Sequence, residues 1–437
     1  MKNRNFTVAV VCAIFAGMLF SGSLQAQQTA KLDRQYAQDM LKTISNDVRK
    51  HYYDPKFHGV KFDAAVEDAK ARIDKSPSLN YSMSIIANML DGFNDSHLFF
   101  IPPDHAYRLD YGWQDEMVGD HCYVLRVRPG TDAATKVKPG DEILAINGIQ
   151  PTRDDLWKLD YLFRILRPQT DFHLVVRSLD GSMRNVDVKP KMDKKPMITD
   201  LTEQNQLMNL FHLYDNNEDL YKARTKELGD DLMVLKIPEF EFTSDEVDKM
   251  KGKALKHKAL IIDLRENEGG SVDTLEYLIG SLFDKEIKVA DRVGRKDMKP
   301  QIAKPRDPFT GKLIVLVDSQ SASASELFAR VIQLQKRGIV IGDRSSGSVM
   351  EAIGYDYQIG SDVVIPYGMS ITDANLIMTD GKSLEHVGVI PDEVMVPTAA
   401  DLAAGRDPVL AHAAQELGVK LSPEDAGKMF PYLWPRY

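Results

Sequence analysis

Short apolar runs alternate with stretches of helical periodicity in the C-terminal half of the chain. The runs are nearly continuous in apolar residues, which is typical of strands buried on both faces; they lie at 232–237, 260–264, 313–317 and 338–342. After the third run, Leu327, Val331 and Leu334 recur at helical spacing. Strands that alternate with helices predict a mixed or largely parallel sheet, so we expect an α/β fold.

The N-terminal part of the chain has a different pattern. From residue 31 to 94, apolar residues recur at helical spacing, which predicts a small helical domain. From about residue 111 to 192, short β-like runs are separated by turn signals, which predicts a β domain. We therefore expect a helical domain at 27–106, a β domain at 107–195 and an α/β domain at 196–437, with a polar connector at 201–228.

A serine-rich turn joins the strand at 313–317 to the following helix. Residues 319–324 are small and polar, and Ser323 lies just before the helix. Free N–H groups at a helix N-terminus favour developing negative charge, so this is a good position for a nucleophile. Ser323 and Glu326 also have the spacing of a capping box, in which each side chain accepts from the other residue's backbone. The turn by itself leaves both interpretations open.

Gly269 and Gly270 stand between the strand at 260–264 and an apolar-periodic helix. Paired glycines at such a position let the backbone approach a ligand closely and turn N–H groups outward. A simple glycine turn is an equally good interpretation.

His97 lies at another junction, in a polar turn before an apolar strand. Catalytic groups are often carried at such positions. For any one of the ten histidines, however, a structural or surface role is the default interpretation.

The first 26 residues predict a secretory signal peptide. Lys2 and Arg4 precede an apolar run at 8–20, and small and polar residues follow it as far as Ala26. The run is too short for a spanning helix, so we expect cleavage near Ala26, export to the periplasm or the exterior, and no stable membrane insertion afterwards. Only Cys122 remains after cleavage, so stability has to come from packing rather than from an intramolecular disulfide.

The chain is acidic, with a formal net charge of −9 at pH 7. Such a surface argues against nucleic acid or an anionic membrane as the main partner. No cluster of metal ligands and no phosphate-binding loop stands out in the sequence, so we predict neither a metal nor a cofactor.

One segment of the predicted β domain, VKPGDEILAINGI at 137–149, resembles the core hairpin of a PDZ domain. Its Pro-Gly-Asp opens a tight turn, and its Asn-Gly closes another around an alternating strand. The resemblance implies capture of an extended peptide by strand addition, with the terminal carboxylate held by backbone amides. The alternative is a β domain used only for packing.

Four segments together resemble one family of secreted serine peptidases, which includes the tail-specific or C-terminal processing peptidases and the tricorn core peptidase. They are DSHLFF at 95–100, the PDZ-like segment, DLRENEGG at 263–270, and VDSQSASASE at 317–326 with EHVGVIPD at 385–392. The resemblance implies a ββα-spiral catalytic domain of the crotonase or ClpP type, joined to a PDZ domain and a helical N-terminal cap.

By this resemblance Ser323 is the nucleophile and His97 is the general base. The tail-specific branch has a lysine base 25 residues after the serine, but that position is Ser348 here. A neutral serine cannot accept the hydroxyl proton, so the chain is nearer the tricorn-like branch, which uses histidine. The match to that branch implies that Ser96 and Glu385 fix the tautomer of the imidazole and stabilise its cation.

The same resemblance implies an oxyanion hole made of backbone N–H groups. Its candidates are the amides of Gly269 and Ala324, with Gly270 as the alternative to Gly269. We therefore expect an exported serine endopeptidase that cleaves polypeptides through an acyl-enzyme, with C-terminal tails as one candidate substrate.

Two other interpretations remain open. The same scaffold without chemistry would be a peptide- or ligand-binding protein, because a fold can persist after catalysis is lost. A catalytic protein with a different base would use His386, which follows Glu385 in the same loop.

Overall fold

The computed structural model describes residues 30–105, 107–194, 217–360 and 364–435. The predicted signal peptide lies outside the described residues, and so does the part of the predicted connector at 201–216. The chain divides into two compact units, Met1–Pro103 with Gly354–Ile371, and Asp104–Ile353 with Thr372–Tyr437.

Helices dominate the described part of the first unit, as the periodicity predicted. They are α1 at 30–51, α2 at Phe62–Ile73 and α3 at Leu79–Asp91. Ser78 begins α3, because its side chain accepts an N–H of the first turn. Apolar positions at helical spacing are buried, among them Ile44 and Ile73. A short strand, β1 at Phe99–Ile101, pairs antiparallel with Gly368–Ser370.

The second unit begins with short strands. They are β2 at Tyr107–Asp110, β3 at Trp113–Val118, β4 at His121–Val127, β5 at Glu142–Ile146, β6 at Phe172–Arg177, β7 at Met183–Val188 and β8 at Lys191–Lys194. The antiparallel order β3-β4-β5-β6-β7 forms what we call the small sheet, and β2 pairs with β8. Asn147 and Gly148 both have positive φ, as the predicted Asn-Gly turn requires.

Short helices accompany the small sheet. They are α4 at Ala133–Lys136 and α5 at Leu156–Asp160, which a π-helical turn continues through Tyr161–Leu166. The aromatic side chains of Trp113 and Phe172 are buried between these elements and meet edge to face at 5.3 Å. Burial of large aromatic side chains gives the small sheet a core of its own.

A largely parallel sheet forms the centre of the second unit. The remaining strands are β9 at Arg224–Leu228, β10 at Leu232–Lys236, β11 at Ala259–Asp263, β12 at Ile287–Gly294, β13 at Gln301–Ala303, β14 at Lys312–Val317, β15 at Ile339–Gly342, β16 at Met350–Ile359, β17 at Ile365–Met378 and β18 at Glu393–Val394. The order β18-β15-β14-β11-β10-β9 is what we call the large sheet. Its neighbours are parallel except for β9 and β10, so the predicted α/β fold is confirmed.

Helices cover both faces of the large sheet. The helices in this part of the chain are α6 at 217–221, α7 at Ser244–Ala254, α8 at Val272–Gly280, α9 at Ala324–Leu334, α10 at Ala399–Ala404, α11 at Pro408–Glu416 and α12 at Pro423–Gly427. Met233 of β10 packs into one core cluster with residues of α7, α8 and α9. Its neighbour Val234 packs into a second cluster with residues of α11. Successive side chains of a strand point to opposite faces of the sheet, so β10 is buried on both faces, as the apolar runs predicted.

The prediction of a polar connector is wrong for its last part. Residues 217–221 form α6, and 224–228 form β9, which pairs antiparallel with β10 at the end of the large sheet. An edge strand can keep polar side chains exposed, and those of Lys226 and Glu227 are exposed here. Because β9 therefore lacks an apolar run, its sequence resembles a connector.

Replacing Ile262 with Ala should destabilise the second unit by about 2–5 kcal/mol, because the side chain is fully buried within the large sheet and its loss leaves a cavity. The matched change Ile339→Ala lies on the neighbouring part of the sheet, where 44% of the residue is exposed. It should cost at most about 1 kcal/mol. Urea denaturation measures both changes, and equal losses would contradict the described burial.

Candidate active site

Two loops meet at one edge of the large sheet. β11 and β14 are parallel neighbours, so the loops that follow them, 264–271 and 318–323, leave the sheet at the same edge. The carbonyl of Asn267 joins the loops, because it accepts the Ala322 N–H over 3.0 Å and the Ser325 hydroxyl over 2.9 Å. The glycine pair and the candidate nucleophile are therefore held side by side.

Ser323 has an unusual backbone conformation, with φ 54° and ψ −115°. A residue that only caps a helix adopts extended dihedrals. Positive φ at a residue other than glycine costs on the order of 1–3 kcal/mol and persists only where the surroundings hold it. Here the Ser323 N–H donates to Ser348 O over 2.9 Å and to Glu326 Oε2 over 3.1 Å. Glu326 supplies its half of the predicted capping box, because its carboxylate accepts the Ser323 N–H. The Ser323 side chain makes no cap hydrogen bond, and the backbone is that of a strained strand-to-helix turn.

The glycine pair packs directly against this turn. Gly269 has φ 107°, and a Cβ atom there would lie 2.7 Å from the Ser323 Cβ and 3.0 Å from the Ala324 nitrogen. A Cβ atom on Gly270, which has φ 138°, would lie 2.7 Å from the Phe240 oxygen. Side chains at these positions would displace the loops. The close approach of the neighbouring backbones therefore explains why both positions are glycine.

One of the candidate oxyanion donors is already used inside its loop. The Gly269 N–H donates to the Asn267 side-chain oxygen over 2.8 Å. In the chain segments that the structure describes, the N–H groups of Ala324 and Gly270 donate to no protein acceptor. These two groups are therefore available to a ligand.

A buried glutamate holds the turn at 318–323. Besides the Ser323 N–H, Glu326 accepts hydrogen bonds from the loop at 345–348; these come from the Ser345 hydroxyl at 2.5 Å, the Gly347 N–H at 2.8 Å and the Ser348 N–H at 3.0 Å. Burial raises the pKa of the Glu326 carboxyl to about 7, although these hydrogen bonds act in the opposite direction. Glu326 therefore ties the loop at 345–348 to the first turn of α9.

Glu385 reaches the same loop. Its Oε2 accepts the Val349 N–H over 2.7 Å, and the adjacent residue Ser348 holds the Ser323 N–H through its carbonyl. His386 is half exposed, and its Nε2 lies 3.5 Å from Glu385 Oε1. Within the second unit, the structure thus joins the predicted nucleophile and the predicted orienting carboxylate through two consecutive residues.

Ser96 and His97 belong to the first unit, in the turn before β1. The Ser96 hydroxyl oxygen and His97 Nδ1 are 2.8 Å apart. The buried carboxylate of Asp95 holds the turn, because it accepts the His97 N–H over 3.0 Å and the Tyr52 hydroxyl over 2.9 Å. When Nδ1–H donates to Ser96, the tautomer is fixed with Nε2 as the proton acceptor.

Buried charges fix the start of both loops. The Asp318 carboxylate accepts the Glu266 N–H over 2.9 Å and the Ser321 N–H over 3.0 Å. Burial and the negative charge of Glu266 raise the pKa of Asp318. Burial would also raise the pKa of Glu266, but the charges of Arg126 and Lys236 overcome this effect and lower it to about 2. Glu266 is therefore ionised and held by its cationic neighbours.

Sequence reasoning missed what Asn267, Asp318 and Glu326 do in the site. All three are buried polar residues in motifs that the sequence analysis had singled out. Periodicity cannot show that a polar loop residue is buried, because no regular repeat relates loop positions to the core. The spacing of Ser323 and Glu326 signalled a cap, but not the contacts of Glu326 with the loop at 345–348.

Within the described ranges, no group of three or more His, Cys, Asp or Glu side chains is placed to hold a metal ion. In the same residues, no helix is both long enough and apolar enough to cross a membrane.

The fold and the site define an α/β protein in which a strained serine joins a strand to a helix beside a glycine pair. This arrangement is typical of serine hydrolases. Residues 231–395 match the model of peptidase family S41. The predicted family resemblance is therefore confirmed.

Comparison with individual proteins agrees with this assignment. The chain is 28% identical over 293 residues to the tail-specific protease of Haemophilus influenzae, an alignment that covers 62% of this chain and 38% of that protein. It is 23% identical over 369 residues to carboxyl-terminal-processing peptidase 1, chloroplastic, of Arabidopsis thaliana. That alignment covers 79% of this chain and 68% of the Arabidopsis protein. The crystal structure of mature CPAF has a TM-score of 0.64 at 16% identity, with 85% of this chain and 94% of that chain covered, which shows a shared fold. The chain spans less than half of the Haemophilus protein.

Glu326→Gln should remove part of the pH dependence of stability. The pKa of Glu326 is raised from 4.5 to about 7 on folding, so the folded state binds more protons than the unfolded state between these pH values. The stability that this group contributes is present below its unfolded pKa and is lost as pH rises through the folded pKa. The wild type should therefore lose stability relative to the variant as pH rises from 4.5 to 7, as measured by urea denaturation. A difference that stays constant across this window would mean that the carboxyl is ionised throughout.

Proposed function

We propose that this protein is an exported serine endopeptidase that cleaves polypeptides through an acyl-enzyme on Ser323. The observation that carries the proposal is the backbone of Ser323, which has positive φ at the N-terminus of α9 beside the available Ala324 N–H. A helix cap needs no such strain, whereas a nucleophile that must protrude from the end of a strand does. The match of residues 231–395 to a peptidase family supports the same class of reaction.

In the proposed reaction the Ser323 hydroxyl attacks the scissile carbonyl carbon, and the C–N bond then breaks to leave an ester on the serine. Water hydrolyses this ester in the second half of the reaction. The carbonyl oxygen becomes negative and accepts hydrogen bonds from the N–H groups of Ala324 and Gly270. Gly270 replaces Gly269 as the second donor, because the Gly269 N–H already donates to Asn267. The N-terminus of α9 adds favourable electrostatics.

His97 is the proposed general base. It takes the proton of the Ser323 hydroxyl and returns it to the leaving amine, while Ser96 and Glu385 orient the ring and stabilise its cation. The Ser96–His97 distance of 2.8 Å supports a fixed tautomer. Ser348, at the position of the family lysine, has no side-chain group that can accept this proton at neutral pH, which supports histidine in the role.

We infer export from the first 26 residues and peptide capture from the small sheet, which we interpret as PDZ-like. The small sheet contains the segment at 137–149 that resembles the core hairpin of a PDZ domain, a fold that captures extended peptides by strand addition. The names of two relatives, a tail-specific protease and a carboxyl-terminal-processing peptidase, favour C-terminal segments as substrates.

The wild-type protein should react covalently with a fluorophosphonate probe, because such probes trap an activated serine, and Ser323→Ala should lose this labelling. Peptide hydrolysis should fall by several powers of ten in the same variant. Ser346→Ala changes an exposed serine of the neighbouring loop and is the matched control that should keep labelling. A folded wild type that is not labelled would favour a peptide-binding protein without catalysis.

His97→Ala should abolish peptide hydrolysis, whereas His386→Ala should retain most of it, because only the first removes the proposed proton acceptor. The expected loss for the true base is several powers of ten in kcat. Steady-state kinetics on one peptide substrate measures both variants. Loss of turnover in His386→Ala alone would make His386 the base and refute the assignment of His97.

A further inference from the structure

Residues 430–435, which we call the C-terminal strap, follow α12 without helix or strand. Aromatic residues stand at every second position of the strap; they are Phe430, Tyr432 and Trp434. Arg224 of β9 donates to Pro431 O over 2.7 Å, and Arg128, which directly follows β4, donates to Pro435 O over 3.1 Å. Because β9 and β4 belong to different sheets, the strap connects the small sheet with the large sheet.

At the middle of the strap, the Tyr432 ring lies over Arg126 of β4. The guanidinium carbon is 4.2 Å from the ring centroid, which is within the range of cation–π attraction. The Trp434 ring meets the Tyr432 ring edge-on at 5.0 Å. Gln114 donates to the Tyr432 hydroxyl and accepts from Arg126 over 2.9 Å. These contacts restrict the guanidinium to one position.

Arg126 in that position binds the loop that presents the glycine pair. Its two terminal nitrogens donate to the two carboxylate oxygens of Glu266 over 2.6 and 3.0 Å. Glu266 has φ 62°, and its N–H donates to Asp318, the first residue of the turn at 318–323. A bidentate pair fixes direction as well as distance. The guanidinium therefore holds a strained residue that lies between β11 and Gly269.

Tyr432, Arg126 and Glu266 all line a cavity of about 600 Å³ at the same edge of the large sheet. The side chains of Arg126 and Glu266 are 24% and 26% exposed, so the ring shields a pair that solvent already reaches in part. Ion pairs that are fully exposed to water contribute little, roughly 0–1 kcal/mol. Removing the ring would therefore weaken the hold of Arg126 on Glu266.

We propose that Tyr432 is a positioning residue: it holds Arg126 on Glu266 and thereby orders the loop at 264–270 beside Ser323. The catalytic consequence rests on the proposed function, whereas the ordering of the loop does not. The contacts that carry the inference run from Tyr432 to Arg126 and from Arg126 to Glu266, so the effect of Tyr432 on the reaction is transmitted through these two residues.

Tyr432→Ala in the full chain should lower kcat roughly ten- to a hundredfold, because small displacements of reacting groups have effects of that size. KM for a peptide substrate should change much less. Tyr432→Phe keeps the ring over Arg126 and should stay near the wild type. Hydrogen–deuterium exchange of the amides at 264–270 should be faster in Tyr432→Ala than in either the wild type or Tyr432→Phe.

Phe430→Ala is the matched control. It removes an aromatic ring from the same strap, but that ring lies over Arg224, at 5.6 Å, rather than over Arg126. Its kcat and its exchange at 264–270 should stay near the wild type. In a Glu266→Gln background, Tyr432→Ala should lower kcat little further, because residues that act through one contact are not additive.

Wild-type kcat together with wild-type exchange in Tyr432→Ala would overturn the inference. Equal losses in Phe430→Ala, or a full additional loss in the Glu266→Gln background, would overturn it as well, since neither fits transmission through Arg126 and Glu266. If the wild type neither hydrolyses peptides nor reacts with the fluorophosphonate probe, the proposed function fails. The exchange of 264–270 then still decides whether Tyr432 orders the loop.

Discussion

The strained backbone of Ser323 is the constraint on which the site depends. Positive φ at a serine is unfavourable, so other interactions must hold it. They are supplied by polar groups that are buried and paired, above all the Glu326 carboxylate and the carbonyl of Asn267. A buried polar group that lost its hydrogen-bond partners would destabilise the fold. Hydrogen bonds also depend on direction, whereas apolar packing does not. The turn is consequently held by hydrogen bonds that extend over three separate loops.

Parallel strand order explains why these loops meet. Neighbouring parallel strands such as β11 and β14 end at the same edge of a sheet, so segments distant in sequence emerge side by side. The same edge collects charged residues, among them Asp318, Glu266 and Arg126. The small sheet and the C-terminal strap both contribute to this edge through Arg126 and its contacts. Groups far from the serine in sequence therefore take part in fixing the loops around it.

The predictable part of the site consists of residues that belong to sequence motifs. The motifs single out Ser323, Gly269 and Glu385 as candidates. In the second unit Gly269 packs against the backbone of Ser323, and Glu385 accepts the N–H of Val349, the residue after the one that holds the Ser323 N–H. The donor role first assigned to Gly269 shows the limit of this approach, because its N–H is engaged by Asn267. Which amide is used depends on the orientation of a peptide plane, and composition and spacing do not encode that orientation. The catalytic roles of these residues, like those of His97 and Ser96, stay predictions from the resemblance.

The sequence by itself determined the α/β alternation, the helices of the first unit and the turn chemistry, because the periodicity of apolar residues and the φ preferences of Asn-Gly and Gly-Gly act locally. It did not reveal β9, whose exposed edge position needs no apolar run. Only the tertiary structure decided that Glu326 joins α9 to the loop at 345–348 and that Tyr432 covers Arg126. In the sequence, these side chains look like ordinary surface groups. Only the packing of the chain determines which of them are buried and which atoms they contact.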